Sequence, residues 1–225
     1  MTIISHSHRF IFIKARKVAS SSLLVALGQY CSGQDIVTAP GDTEGYPNNA
    51  RNDAGTVKTH THPDVIRRMA GETAWESYTK VTAVRNPWDV AVSSLLWRYY
   101  RGGKRWNAHY TDQFRKAVDT RTIDPTDPEF KQHMFSVIES LPRNCNFYFA
   151  DDGSARADVY LRYETLQPDY DALCQKLGLP QNTLPILKAQ SRVPGWNYRE
   201  FFDEELKTAV YDAAKRTIEY FDYSF

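Results

Sequence analysis

The sequence predicts an α/β domain with helices around a doubly wound parallel sheet, and three observations predict it. A short apolar run at residues 9–13 (Arg-Phe-Ile-Phe-Ile) has the aromatic and β-branched content of a strand buried on both faces. Stretches of strand character alternate with stretches of helical periodicity, the order that produces parallel crossovers. At 225 residues with 42% hydrophobic and 24% charged side chains, the chain suits one large globular domain, read as 1–225.

In chain order, residues 9–13 form the first predicted strand. Residues 14–22 lead into a helix through Leu23, Leu24, Val25, Ala26 and Leu27, with Ser20 or Ser21 as its cap and Gly28 near its end. Residues 38–55 collect Pro40, Gly41, Gly45, Pro47 and Gly55, a density of breakers that predicts a mobile surface loop. A short helix follows at 62–69 with Pro63 in its first turn, and strand character returns at 78–84. Pro87 opens a helix whose Val92, Leu95, Leu96, Tyr99 and Tyr100 form a stripe expected to pack against the sheet. Residues 101–129 read as a polar insertion with one short helix. Residues 145–150 and 158–163 read as two strands around a turn at Asp151 to Ser154. A helix at 169–177 closes at Gly178, and the last helix carries Leu206, Val210, Ala213, Ala214, Thr217 and Phe221 on one stripe.

Composition narrows the function classes. Twenty-eight Lys and Arg against 27 Asp and Glu leave a net charge of +1, without the broad basic footprint of a nucleic-acid binder. No apolar stretch approaches the ~20 residues that span a bilayer, and the beginning of the sequence has no signal-peptide pattern, so a soluble cytoplasmic protein is expected. Cys31, Cys145 and Cys174 are odd in number and form no CxxC pair, which suggests neither a disulfide framework nor a zinc site.

Two clusters point to an anion. In the first, residues 14–22 join a strand to a helix, so that the first-turn amides around Ala19, the hydroxyls of Ser20, Ser21 and Ser22, and the charges of Arg16 and Lys17 converge on a phosphate or sulfate. A Walker A loop needs glycines before its Lys-Ser/Thr, and Arg16-Lys17-Val18-Ala19 has none, which disfavours an ordinary ATP or GTP site. In the second, Arg85 at a strand end is followed eight residues later by Ser93 in the next helix, an arginine fork and a hydroxyl donor for one anion. His60 and His62, in Thr-His-Thr-His, are candidate general bases with an ordinary pKa near ~6.5. No Cys, Asp or Glu is placed to complete a metal site with them, and none is expected. Lys188 and Arg192 sit in a late basic loop before Pro194, Gly195 and Trp196. Arg162 and Glu164 read as structural.

The order and spacing of these pieces resemble the sulfotransferases that use 3′-phosphoadenosine 5′-phosphosulfate (PAPS), in particular the bacterial and Golgi-type carbohydrate branch. The resemblance rests on Lys17, on Arg85, Pro87 and Ser93, and on the runs at 84–89, 158–166, 177–180 and 220–225. It implies a P-loop-like fold in which the Lys17 loop binds the 5′-phosphosulfate, Arg85 and Ser93 bind the 3′-phosphate, and Lys188 and Arg192 close over the nucleotide. It also implies a histidine that takes the acceptor proton, with His60 in better register than His62. PAPS would be the donor, PAP the product, and a glycan or small-molecule alcohol the acceptor. The chain departs from the family at Val90, where many relatives carry a basic residue, and at 38–57 and 101–129, the expected acceptor-side loops. The alternatives are a P-loop-type nucleotide kinase and a non-catalytic PAP-binding module.

Overall fold

The structure, a computed structural model, describes residues 2–38, 60–101, 110–187 and 196–225. The α/β expectation holds, with a five-stranded sheet and helices packed on it, but the sheet is mixed rather than all parallel. Strands β1 (Thr2–Ser5) and β2 (Phe10–Ile13) pair antiparallel, with Thr2 opposite Ile13 and Ser5 opposite Phe10. The connection at 6–9 explains the difference, because a parallel crossover needs about a dozen residues and this one suffices only for a hairpin. A short β3 (Ile36–Val37) adds antiparallel to the outer side of β1. The parallel portion comprises β2, β4 (Thr79–Val84) and β5 (Val159–Arg162), so the full order is β3-β1-β2-β4-β5. Every residue of β1 and β2 is buried, which is why their sequences lack alternation.

The β1–β2 hairpin is tied down by Asp35. Its buried carboxylate accepts from the amides of His6 (2.6 Å), Ser7 (3.0 Å) and Ser32 (2.8 Å) and from the Ser7 hydroxyl (2.6 Å). These bonds favour the ionised form and hold the Asp35 carboxyl below the usual carboxylate range against the opposing effect of burial.

The chain divides into two compact units, Met1–Arg85 with Asn146–Leu187, and Asn86–Cys145 with Lys188–Phe225. The first holds the sheet together with helices α1 (Ser20–Gly28), α2 (Pro63–Ala70) and α3 (Glu72–Ser77). In the second, α4 (Pro87–Arg101) packs on α6 (Pro128–Ile138); α5 (Asp112–Thr120) is the short helix expected in the insertion. Val92, Leu95, Leu96 and Tyr99 of the α4 stripe are buried, whereas Tyr100 is 39% exposed.

Helix α7 (Pro142–Tyr148) replaces the strand expected at 145–150, leaving only a single bridge between Phe149 and Ala155. The aromatic run has high strand propensity, but Pro142 starts a helix in front of it, and Phe147, Tyr148 and Phe149 are all buried, so packing overrides propensity. Helix α8 (Leu166–Leu177) follows β5 and closes on Gly178 with φ 66°, as expected. The last helix, α9 (Glu204–Tyr220), packs on α4 and α6 and is broken by non-helical dihedrals at Ala214. Among the described residues no helix is long and apolar enough to cross a membrane.

Candidate functional site

The parallel strands β2, β4 and β5 end at one edge of the sheet, the edge where open α/β sheets bind ligands. Lys14 follows β2, Arg85 follows β4, and Tyr163 follows β5. All three belong to the first unit.

The loop after β2 turns into α1 without glycine. Lys14, Ala15 and Val18 are buried, Arg16 is exposed and Lys17 is half-buried. Lys17 (φ 61°) and Ala19 (φ 57°) both take left-handed dihedrals, the conformation that a Gly-rich phosphate loop assigns to glycine. Such non-glycine positions persist where surrounding contacts hold them and cluster at functional sites. Ala19 itself is the N-cap of α1, so neither Ser20 nor Ser21 caps the helix as expected. The Ser20 hydroxyl instead donates to the Ala15 carbonyl at 2.8 Å, fastening the loop shut, and the buried Ser22 hydroxyl accepts from the Leu187 amide at 3.4 Å. The first intrahelical bond runs from the Leu23 amide to the Ala19 carbonyl (3.3 Å), so the amides of Ser20, Ser21 and Ser22 lie in the turn that a helix leaves to an anion.

Two residues distant in sequence meet this loop. The Arg85 guanidinium, 6% exposed, donates from Nη1 to the Lys17 carbonyl at 3.1 Å and stacks over the Tyr163 ring at 4.0 Å. His60 places Nδ1 3.1 Å from the Lys14 carbonyl and packs edge-to-face on Phe147, ring centres 6.4 Å apart. A carbonyl only accepts, so the neutral ring donates through Nδ1–H and Nε2 is left as its basic nitrogen. Burial, helped by the nearby charges of Lys14 and then Arg16, brings the His60 pKa down to about 3, against the opposing pull of the Lys14 carbonyl. The ordinary histidine pKa anticipated for a base is therefore not the one found here.

His62 has a different post. It is the N-cap of α2, where Nδ1 accepts from the Asp64 amide at 3.4 Å and lies 3.3 Å from the Asp64 carboxylate. Asp64 in turn pairs with Arg156 at 2.5 Å, and this guanidinium also donates to the Phe149 carbonyl (2.8 Å). The pair fixes the first turn of α2, just after His60.

Ser93 lies half-buried within α4 of the second unit, while Arg85 closes the first. Lys188, Arg192 and most of the 38–57 loop lie outside the described residues. Val90 is 4% exposed in α4, a buried apolar position. Among the described residues no group of three His, Cys, Asp or Glu is arranged to hold a metal ion. Tyr163, Phe147 and Arg156 join the site without any functional motif of the sequence marking them. Tyr163 is marked in the sequence only as the residue that follows a strand at the ligand edge, whereas Phe147 lies in a segment of strand propensity that folds as a helix.

Compared with protein-family models, with curated proteins and with solved structures, the chain matches none.

Proposed function

We propose that this chain is a sulfotransferase that moves the sulfuryl group of PAPS to a hydroxyl acceptor, a glycan or small-molecule alcohol. The observation that carries the reading is the meeting of three separate motifs on one loop: His60 bonds to the Lys14 carbonyl and Arg85 to the Lys17 carbonyl. Lysine, histidine and arginine at the edge where the parallel strands end suit in-line transfer from an anionic donor.

In this reading the Lys17 loop and the first-turn amides of α1 take the 5′-phosphosulfate, and Arg85 takes the 3′-phosphate. The acceptor oxygen attacks sulfur as the bond from sulfur to the bridging phosphate oxygen breaks. Negative charge then builds on the leaving phosphate, where the Lys17 ammonium offsets it, and the acceptor proton passes to His60 Nε2. No covalent intermediate on the protein is needed, and catalysis is positioning plus charge stabilisation.

A base with a pKa of about 3 is weak, and this observation favours a second reading, a PAP-binding module without turnover. An anion bound at the loop, however, offsets the charges of Lys14 and Arg16 that help to depress His60, and so moves its pKa part of the way back up, while burial, the larger cause, persists. The glycine-free loop counts against a nucleotide kinase.

Incubation with labelled PAPS and a broad acceptor extract, followed by mass spectrometry, tests the proposal. The expected result is a sulfate adduct that is lost in Lys17→Ala. Tight PAP binding with no adduct on any acceptor supports the module, and consumption of ATP with magnesium supports the kinase; either outcome overturns the sulfotransferase reading.

A further inference from the structure

Arg85 is positioned to do more than meet a phosphate. One face of its guanidinium lies on the Tyr163 ring at 4.0 Å, and its Nη1 donates to a backbone carbonyl, that of Lys17, at 3.1 Å. The residue so held has φ 61°, a conformation that a long side chain rarely adopts and that needs external support. On its far side the loop is fixed by the buried Val18 and by the bond from Ser20 to Ala15. The backbone dihedrals of Lys17 set the direction in which its Cα–Cβ bond leaves the loop, so whatever holds its carbonyl also sets the point from which its ammonium reaches out.

We infer that Arg85 and Tyr163 are positioning residues for Lys17: Tyr163 holds the guanidinium flat, and the guanidinium locks the Lys17 peptide that directs the ammonium to the 5′ side of the ligand. The inference rests on the functional reading above for the identity of that ligand and deepens it, because it makes affinity at the 5′ side depend on a residue that the reading gives to the 3′-phosphate. Adenosine 5′-phosphosulfate, which lacks the 3′-phosphate, is the probe that separates the two roles.

The experiment is calorimetric titration of PAP and of adenosine 5′-phosphosulfate into wild type, Arg85→Lys and Tyr163→Leu, with melting curves to verify folding. Arg85→Lys keeps the charge but loses the fork and the flat face that stacks. Tyr163→Leu leaves Arg85 in place and, at a half-buried position, covers the case in which the buried Arg85 variant does not fold. Losing one hydrogen bond to a charged donor is worth roughly tenfold to a hundredfold, so adenosine 5′-phosphosulfate should bind about tenfold more weakly to both variants. Tyr163→Phe, which retains the ring, should recover most of that loss. A ligand-free readout accompanies the titrations: the Val18 amide shares its peptide plane with the Lys17 carbonyl, and its NMR signal should move in both Arg85→Lys and Tyr163→Leu.

A Val18 signal that stays in place, or affinity for adenosine 5′-phosphosulfate within twofold of wild type, overturns the inference while leaving the 3′-phosphate assignment standing. Wild type that binds adenosine 5′-phosphosulfate as tightly as PAP removes that assignment but not the positioning role, provided both variants still weaken. Wild type that binds neither removes both.

Discussion

Acid should cost this fold stability through His60 in particular, and the size of the effect follows from its surroundings. In the unfolded chain the imidazole titrates at its ordinary value of 6.5, whereas in the folded protein burial beside Lys14 and Arg16 brings it down to about 3. Between those values the unfolded state binds a proton that the folded state refuses. The His60 contribution is therefore fully present above pH 6.5 and is lost as pH falls from 6.5 through about 3. Each pH unit inside the window costs at most about 1.4 kcal/mol, so two units, from 6.5 to 4.5, cost up to about 3 kcal/mol. The perturbation is His60→Gln, which removes the titrating ring and keeps a side-chain donor for the Lys14 carbonyl. Urea unfolding of wild type and variant at pH 7.5 and pH 4.5 measures the difference of differences, in which every other titrating group cancels. Wild type should lose about 2 to 3 kcal/mol more than the variant on acidification. Equal losses would mean that His60 titrates as it does in water and that its packing against the loop is wrong.

Other consequences are simpler to read. Lys17→Ala should lower sulfate transfer by about a hundredfold to a thousandfold with a much smaller loss of PAP affinity, because its charge is needed most as the leaving phosphate forms; single-turnover kinetics and calorimetry separate the two. Asp35→Ala leaves the amides of His6, Ser7 and Ser32 without their shared acceptor and should destabilise the fold by about 2 to 5 kcal/mol in urea unfolding, while a loss under about 0.5 kcal/mol would deny the carboxylate its place in the hairpin. The Cys31 thiol, pushed up to about 12 by burial and then by Asp35, should resist a thiolate-specific reagent at pH 8 in the native protein and react faster in Asp35→Asn; prompt labelling of native wild type would contradict this.

Local signals carried much of the fold. The apolar run of β2, the start of α2 at Pro63 and the closure of α8 at Gly178 depend on chemistry within a few residues, and each lies where the sequence places it. The errors arose where distant parts of the chain decide. Thr2–Ser5 is a strand because β2 and β3 flank it, and the hairpin it forms makes the sheet mixed. Residues 145–148 are helical because buried aromatic packing outweighs their strand propensity. The candidate site divides in the same way. Lys17, Arg85 and His60 were legible as residue types at strand and helix ends. The His62 cap is a local contact with Asp64, but that His60 meets the Lys14 carbonyl and loses its ordinary basicity, and that Arg85 binds backbone, are facts of contacts between residues far apart in sequence. No local pattern encodes them.

The central claim, that the loop and Arg85 belong to a site for a 3′-phosphorylated adenosine nucleotide, is tested most directly by calorimetric titration of the wild-type protein with PAP and with ADP. The two differ in where the second phosphate sits. A charge-assisted contact to the 3′-phosphate is worth roughly 1.5 to 3 kcal/mol, so PAP should bind about tenfold to a hundredfold more tightly than ADP, with no requirement for magnesium. Equal affinity for the two, or tighter magnesium-dependent binding of ADP, would contradict the account.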